Sequence, residues 1–208
     1  MTNKIIAEKY FGILATVDWN SNQWQAESTE EDLKNSNFGF TKEHGITYTS
    51  LNFAHEVYPT DENDYYAGLL PQLWTKTPDK ENAKLVKIVF IKAKNWEDKK
   101  NYIVGFYAFP IFEKGKKPSP IASFTEDFET NIKALPKDIH ILKNYILFED
   151  EDVKKFIPKG KKVGLRGFNY LEKDNVYSIL DRMSSKNSDV KLQGIKYRII
   201  KTIDAIER

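Results

Sequence analysis

The stretch Val17–Gln25, VDWNSNQWQ, sets Trp19 and Trp24 five positions apart among Asp18, Asn20, Ser21, Asn22, Gln23 and Gln25. Two large flat rings beside carboxylate and amide groups suit one chemistry well, the holding of a single planar base. A base stacked on an aromatic ring gains roughly 1–3 kcal/mol. Amides and carboxylates then read its edge through hydrogen bonds. A methylated base has partial positive character on its methyl group, which an aromatic cage favours as it favours methylated ammonium groups. Trp74, in LLPQLWTKTP, is a third candidate wall. The alternative is that one or both rings of the loop fold back as anchors.

Other chemistries find little support. The chain has no cysteine, which removes disulfides, thiolate metal sites and cysteine nucleophiles. Its three histidines, His44, His55 and His140, stand at no zinc-type spacing. Phosphate loops of the G-x-x-x-x-G-K-[ST] and G-x-G-x-x-G types are missing, as is a G-x-S-x-G elbow. Acids cluster at Glu30-Glu31-Asp32, Asp61-Glu62-Asp64 and Glu149 to Asp152. The first and last read as helix N-termini, where acids complement the helix dipole. His55 beside Glu56 could serve as a base, but no nucleophile is indicated. The expectation is a binding module rather than an enzyme, with no cofactor and no metal.

These residues must be positioned by a fold. Lys9–Val17 reads as a first strand, and Ser28 to Asp32 as a capped helix start. Asn35–Gly45 reads as loop, and Pro59–Tyr65 as an acidic turn. Lys84–Ala93 and Tyr102–Phe109 read as a β-hairpin whose second strand is covered on both faces. Glu113–Pro120 reads as a basic loop, Asp127–Leu135 as a short helix and Ile139–Phe148 as a strand. Glu149–Phe156 and Lys173–Met183 read as helices, the latter from Val176, Ile179, Leu180 and Met183 at helical spacing. Ile195, Ile199, Ile203 and Ile206 form a last helical stripe, which packs on this domain or leads to a partner or further domain. The class is α+β.

The 208 residues suit one domain, and net charge is only +2. The charge is uneven, with residues 1–80 at −6 and the remainder at +8. That hints at an anionic partner on one side, although a solvated lysine-rich surface explains it as simply. No apolar run approaches a membrane span, and MTNKIIAEKYFG lacks the features of a signal peptide. A soluble cytoplasmic protein without membrane contact is expected.

Three blocks in order resemble the EVE/YTH group of PUA-like domains. They are KYFGILATVDWNSNQW, LVKIVFIKAKNWEDKKNYIVGFYAF with Gly105 in its second strand, and GLRGFNYLEKDNVYSIL. The resemblance spans residues 8–183, with 30–84 as a segment longer than the family's pattern, and leaves 184–208 as linker and C-terminal helix. It implies a compact barrel-like mixed sheet flanked by helices. It also implies a reader that flips a methylated or otherwise modified base of DNA into an aromatic pocket. Related modules serve as specificity domains of McrB-type restriction systems, joined to a C-terminal AAA+ motor domain or an oligomer. On this view Trp19, Trp24, Trp74 and Phe112 are walls, and Asp18, Asn20 and Asn22 read the base edge. Lys114, Lys116, Lys117, Lys159, Lys161, Lys162 and Arg166 meet phosphates. The family's cage tryptophan after the hairpin has no counterpart, since PIFEKGKKPSPIASF offers only Phe112 and Phe124. An RNA reader and a protein–protein assembly module are the alternatives.

Overall fold

The two apolar runs of the expected hairpin lie at the middle of the molecule. The computed structural model describes residues 9–71, 80–118, 127–161 and 168–208. The first part of the chain holds β1 (Gly12–Val17), α1 (Glu30–Lys34), α2 (Gly39–His44), a 3-10 turn (Tyr48–Leu51), β2 (Tyr66–Gly68) and α3 (Lys80–Leu85). The hairpin follows as β3 (Ile88–Lys94) and β4 (Asn101–Ala108), then β5 (Gly115–Lys117), β6 (Phe128–Thr130), β7 (Ile132–Ala134) and β8 (Ile139–Leu147). The chain closes with α4 (Asp150–Phe156), β9 (Asn169–Leu171), α5 (Lys173–Lys186) and α6 (Val190–Glu207).

Five strands form a mixed sheet in the order β8-β4-β3-β1-β9. β1 runs parallel to β3, with Gly12 opposite Ile88 and Val17 opposite Ala93. The other three pairings are antiparallel. Both faces are covered, which is why the central strands read as continuous apolar runs. Leu14, Ile88, Phe90, Ile103 and Phe106 face the helices, against Val176, Ile179, Leu180 and Met183 of α5 and Leu192, Ile195, Ile199 and Ile203 of α6. Ile13, Ala15, Val17, Val89, Ile91 and Tyr107 face the other way, toward Trp24, Leu51, Phe53, Tyr66 and Ile132. Two short ribbons, β2–β7 and β5–β6, accompany this second face.

Several expectations need correcting. The strands described form an open sheet and two ribbons, not a closed barrel. Asp127–Leu135 is β6 and β7 instead of a helix, because Phe128, Thr130, Ile132 and Ala134 are buried at every second position. The basic loop at 113–120 contains β5, paired to β6. The 35–45 loop contains α2, ended by Gly45 at φ 65°. Lys84 and Leu85 end α3, and the strand starts at Ile88. Residues 184–186 continue α5 instead of starting a linker, and the expected C-terminal helix is α6, with Ile195, Ile199 and Ile203 buried in the same core.

Gly105 shows why the hairpin needs its glycine. Val104 is the extra residue of a β-bulge, where the β3 partner steps from Lys92 to Ile91. A Cβ on Gly105 would lie 2.5 Å from the His140 carbonyl oxygen and 2.6 Å from the Phe53 ring. Gly105→Ala should therefore destabilise the fold by about 2–3 kcal/mol, measured as a lower urea midpoint.

Candidate aromatic pocket

The tryptophan loop leaves β1 at Asp18. Gln23 and Trp24 both adopt left-handed backbone, φ 59° and 57°, and this reverses the chain so that Trp24 points back inward. Trp24 is 0% exposed. Its indole N–H donates to the Asp18 carbonyl at 2.9 Å, and its backbone N–H donates to Asn20 Oδ1 at 3.0 Å. Asn20 spends its amide donors on the Ala26 carbonyl (3.1 Å) and Ser28 Oγ (3.0 Å). Asn22 donates to the Glu27 carbonyl at 2.7 Å. The half-buried Trp19 meets Trp24 at 5.7 Å and 76°, and Tyr145 at 5.9 Å and 86°. Edge-to-face rings at that spacing stabilise each other and leave no slot for a base between them. Of the two uses open to these rings, Trp24 takes the anchor's.

Asp32 fastens this loop to its surroundings. Thr29 caps α1, accepting from the Asp32 backbone N–H at 3.2 Å while Asp32 accepts from the Thr29 N–H at 3.1 Å. Asp32 also accepts from the backbone N–H of Ser21 at 2.9 Å, the Ser21 hydroxyl at 2.7 Å and the Trp96 indole N–H at 2.8 Å. Burial works to raise its pKa. The donors of Ser21, Trp96 and Thr29 outweigh burial and hold it below the usual carboxylate value.

Asp18 faces a different way. Its Oδ2 accepts from Ser36 Oγ at 2.6 Å and Thr41 Oγ1 at 2.7 Å. Burial raises its pKa, and these hydroxyls only partly offset that. It forms part of the lining of a cavity of about 150 Å³. The walls include Phe38 and Phe40 from the start of α2, Tyr48 from the 3-10 turn, and Leu69 and Pro71. Thr41, Thr47, Thr49 and Glu129 add polar groups. Phe40 is 46% exposed and its ring lies 5.4 Å from that of Tyr48. The arrangement has flat apolar walls, one buried carboxylate and hydroxyls, which suits a planar ligand with an N–H edge.

Of the residues expected at a base site, only Asp18 lines this cavity among the described residues. Phe112 is half-buried and packs against the core on the far side of the sheet from the helices. Trp74 lies outside the described residues. The sequence signals Phe38, Phe40 and Tyr48 weakly, through FGF at 38–40, two rings flanking a glycine in polar surroundings. Among the expected phosphate contacts, Lys114, Lys116 and Lys117 line a second cavity of about 550 Å³. Consecutive residues of β6 serve the two cavities, Glu129 lining the first and Thr130 the second. Lys159 and Lys161 are exposed in the turn after α4, on the helical layer across the sheet. Lys162 and Arg166 lie outside the described residues. Among the described residues no group of three or more metal-ligating side chains gathers, and no helix is long and apolar enough to cross a membrane. Compared with known proteins, the chain matches no family model, no curated protein and no solved structure.

Trp24→Ala should cost about 3–5 kcal/mol of stability, while Phe40→Ala should cost less than about 1 kcal/mol, both read by guanidinium unfolding. Asp32 gives a pH signature. Its pKa is lower folded than unfolded, so its stabilisation is complete above the unfolded value of about 3.9 and is lost as pH falls through the folded one. Asp32→Asn should lower stability at neutral pH and flatten the acid limb of a thermal-unfolding pH series.

Proposed function

We propose that this chain is a reader of modified nucleic acid, taking one flipped base of DNA into the Asp18 pocket. The observation that carries the reading is the pairing of aromatic walls with a buried carboxylate in a cavity of about 150 Å³. Extracting a base costs a few kcal/mol of lost stacking. Stacking on Phe40 and Tyr48 offsets part of that at roughly 1–3 kcal/mol per base. Ionised Asp18 accepts a hydrogen bond from a base N–H, and a methyl group sits against the rings. Lys114 and Lys116, beyond the β6 boundary, meet the flanking phosphates, so affinity falls as salt rises.

This reading keeps the resemblance to EVE/YTH domains, and with it a role as specificity module of a restriction system. It moves the walls from the tryptophans to Phe38, Phe40 and Tyr48. The test is a fluorescence-anisotropy titration of duplexes carrying cytosine, 5-methylcytosine, 5-hydroxymethylcytosine or N6-methyladenine at one low salt concentration, with matching RNA strands as a second arm. The chain should prefer one modified duplex, and Phe40→Ala and Asp18→Asn should each remove the preference while leaving salt-dependent binding. Full preference in both variants, or none in the parent chain, defeats the reading. Because burial lifts the Asp18 pKa above 3.8, the preference should fade as pH drops through the raised value, and Asp18→Asn should abolish that dependence.

A further inference from the structure

The larger cavity, lined by Thr130 of β6 where Glu129 lines the Asp18 pocket, holds a lysine that no carboxylate among the described residues compensates. Lys117 ends β5 with its amine turned inward. Its Nζ donates to the Ala67 carbonyl at 2.7 Å and lies 4.3 Å from the centre of the Tyr66 ring. Among the described residues no carboxylate pairs with it. An ammonium withdrawn from water without a counter-ion costs free energy that a bound anion would offset. Burial accordingly pushes the Lys117 pKa down to about 8.

The carboxylates of the same wall are already engaged. Lys133 Nζ lies 2.6 Å from Glu113 and 3.6 Å from Asp61. Lys116 is exposed on β5 and, although opposite Glu129 in the ladder, forms no ion pair among the described residues. Beside that engaged Lys133, Lys116 and Lys117 line the same space, with the rings of Tyr58 and Tyr65 among its walls. Its volume of about 550 Å³ falls within the span of about 300–1,000 Å³ usual for small-molecule sites.

We propose that this cavity is a separate binding site for a small phosphate monoester bearing a flat ring. The phosphate oxygens face Lys117 and supply the counter-ion it lacks, with Lys116 at the rim of the same cavity. The ring lies against Tyr58 or Tyr65. A lone carboxylate offers fewer oxygens and less charge to the same lysines, so it binds more weakly. The site goes beyond base reading: Lys114 and Lys116 at its rim are shared with the proposed phosphate contacts, while Lys117, Tyr58 and Tyr65 have no part in the Asp18 pocket.

Phenyl phosphate is the probe, titrated into the isotope-labelled full chain and followed by amide NMR. Saturable shifts are expected at Ala67, Gly115 and Lys117, with benzoate and inorganic phosphate binding more weakly and benzyl alcohol producing none. Lys117→Met should weaken phenyl phosphate by about tenfold or more, the loss of one charge-assisted contact. Should that variant fail to fold, Lys116→Gln on the exposed side of β5 gives the reading, with a severalfold loss expected. Asp18→Asn should leave phenyl phosphate binding unchanged, which separates this site from the base pocket. No saturable shift at millimolar probe, shifts confined to the Asp18 pocket, or unaltered affinity in the folded lysine variants would overturn the proposal. Equal affinity for inorganic phosphate and phenyl phosphate would remove the ring from it.

Discussion

β1 and β3 lie side by side in the same direction, so the chain leaving Val17 must return past the sheet before Ile88 can begin. A parallel pair always needs such a crossover. Here the crossover is residues 18–87, and it holds the tryptophan loop, α1, α2, the 3-10 turn, β2 and α3. Residues 30–84 thus lie within the connection that the parallel pair requires. They also bring Phe38, Phe40 and Tyr48 to the end of β1, where Asp18 stands. The topology and the pocket thus have one cause.

Two carboxylates in that crossover divide its work through their surroundings. Asp32 collects N–H and O–H donors from Ser21, Thr29 and Trp96, and it holds the loop shut as an ionised group. Asp18 has two hydroxyls on one oxygen and little water, so its charge is less welcome. Environments that push like groups apart in pKa commonly mark a division of roles. Here one carboxylate fastens and the other faces a cavity. Thr29 and Ser36, which bracket α1 and its exit, each serve one of the two.

How far the sequence foretold this differs by element, for physical reasons. β1, β3, β4, β8 and the helices α5 and α6 have long apolar patterns, while α4 and α1 are announced by acids at their starts. Such signals survive any tertiary context. β5, β6 and β7 have three residues each, too few for a period to show, and they exist because neighbours pair with them. α2 is hidden by the Gly and Asn residues around it. The direction of Trp24 depends on left-handed backbone at Gln23 and Trp24, which neither residue type announces. Asp18, expected to read a base edge, lines a cavity, while the aromatic rings beside it come from a segment with no periodic pattern.

β8 bows between Ile141 and Ile146 where its partner β4 passes only from Gly105 to Ile103. Tyr145, in the bow, touches both Trp19 and Trp24. Beside it, Asn144 gives its backbone N–H to Asn187 Oδ1 at 2.8 Å and takes the Asn187 Nδ2 donor on its own carbonyl at 3.0 Å. A sheet margin with unpaired amides is a template for another chain to join. Here the residue just after α5 occupies both groups at the middle of that margin, and the bow spoils the straight line a visiting strand needs. A strand from a second molecule therefore finds no straight run of free backbone groups at the middle of β8.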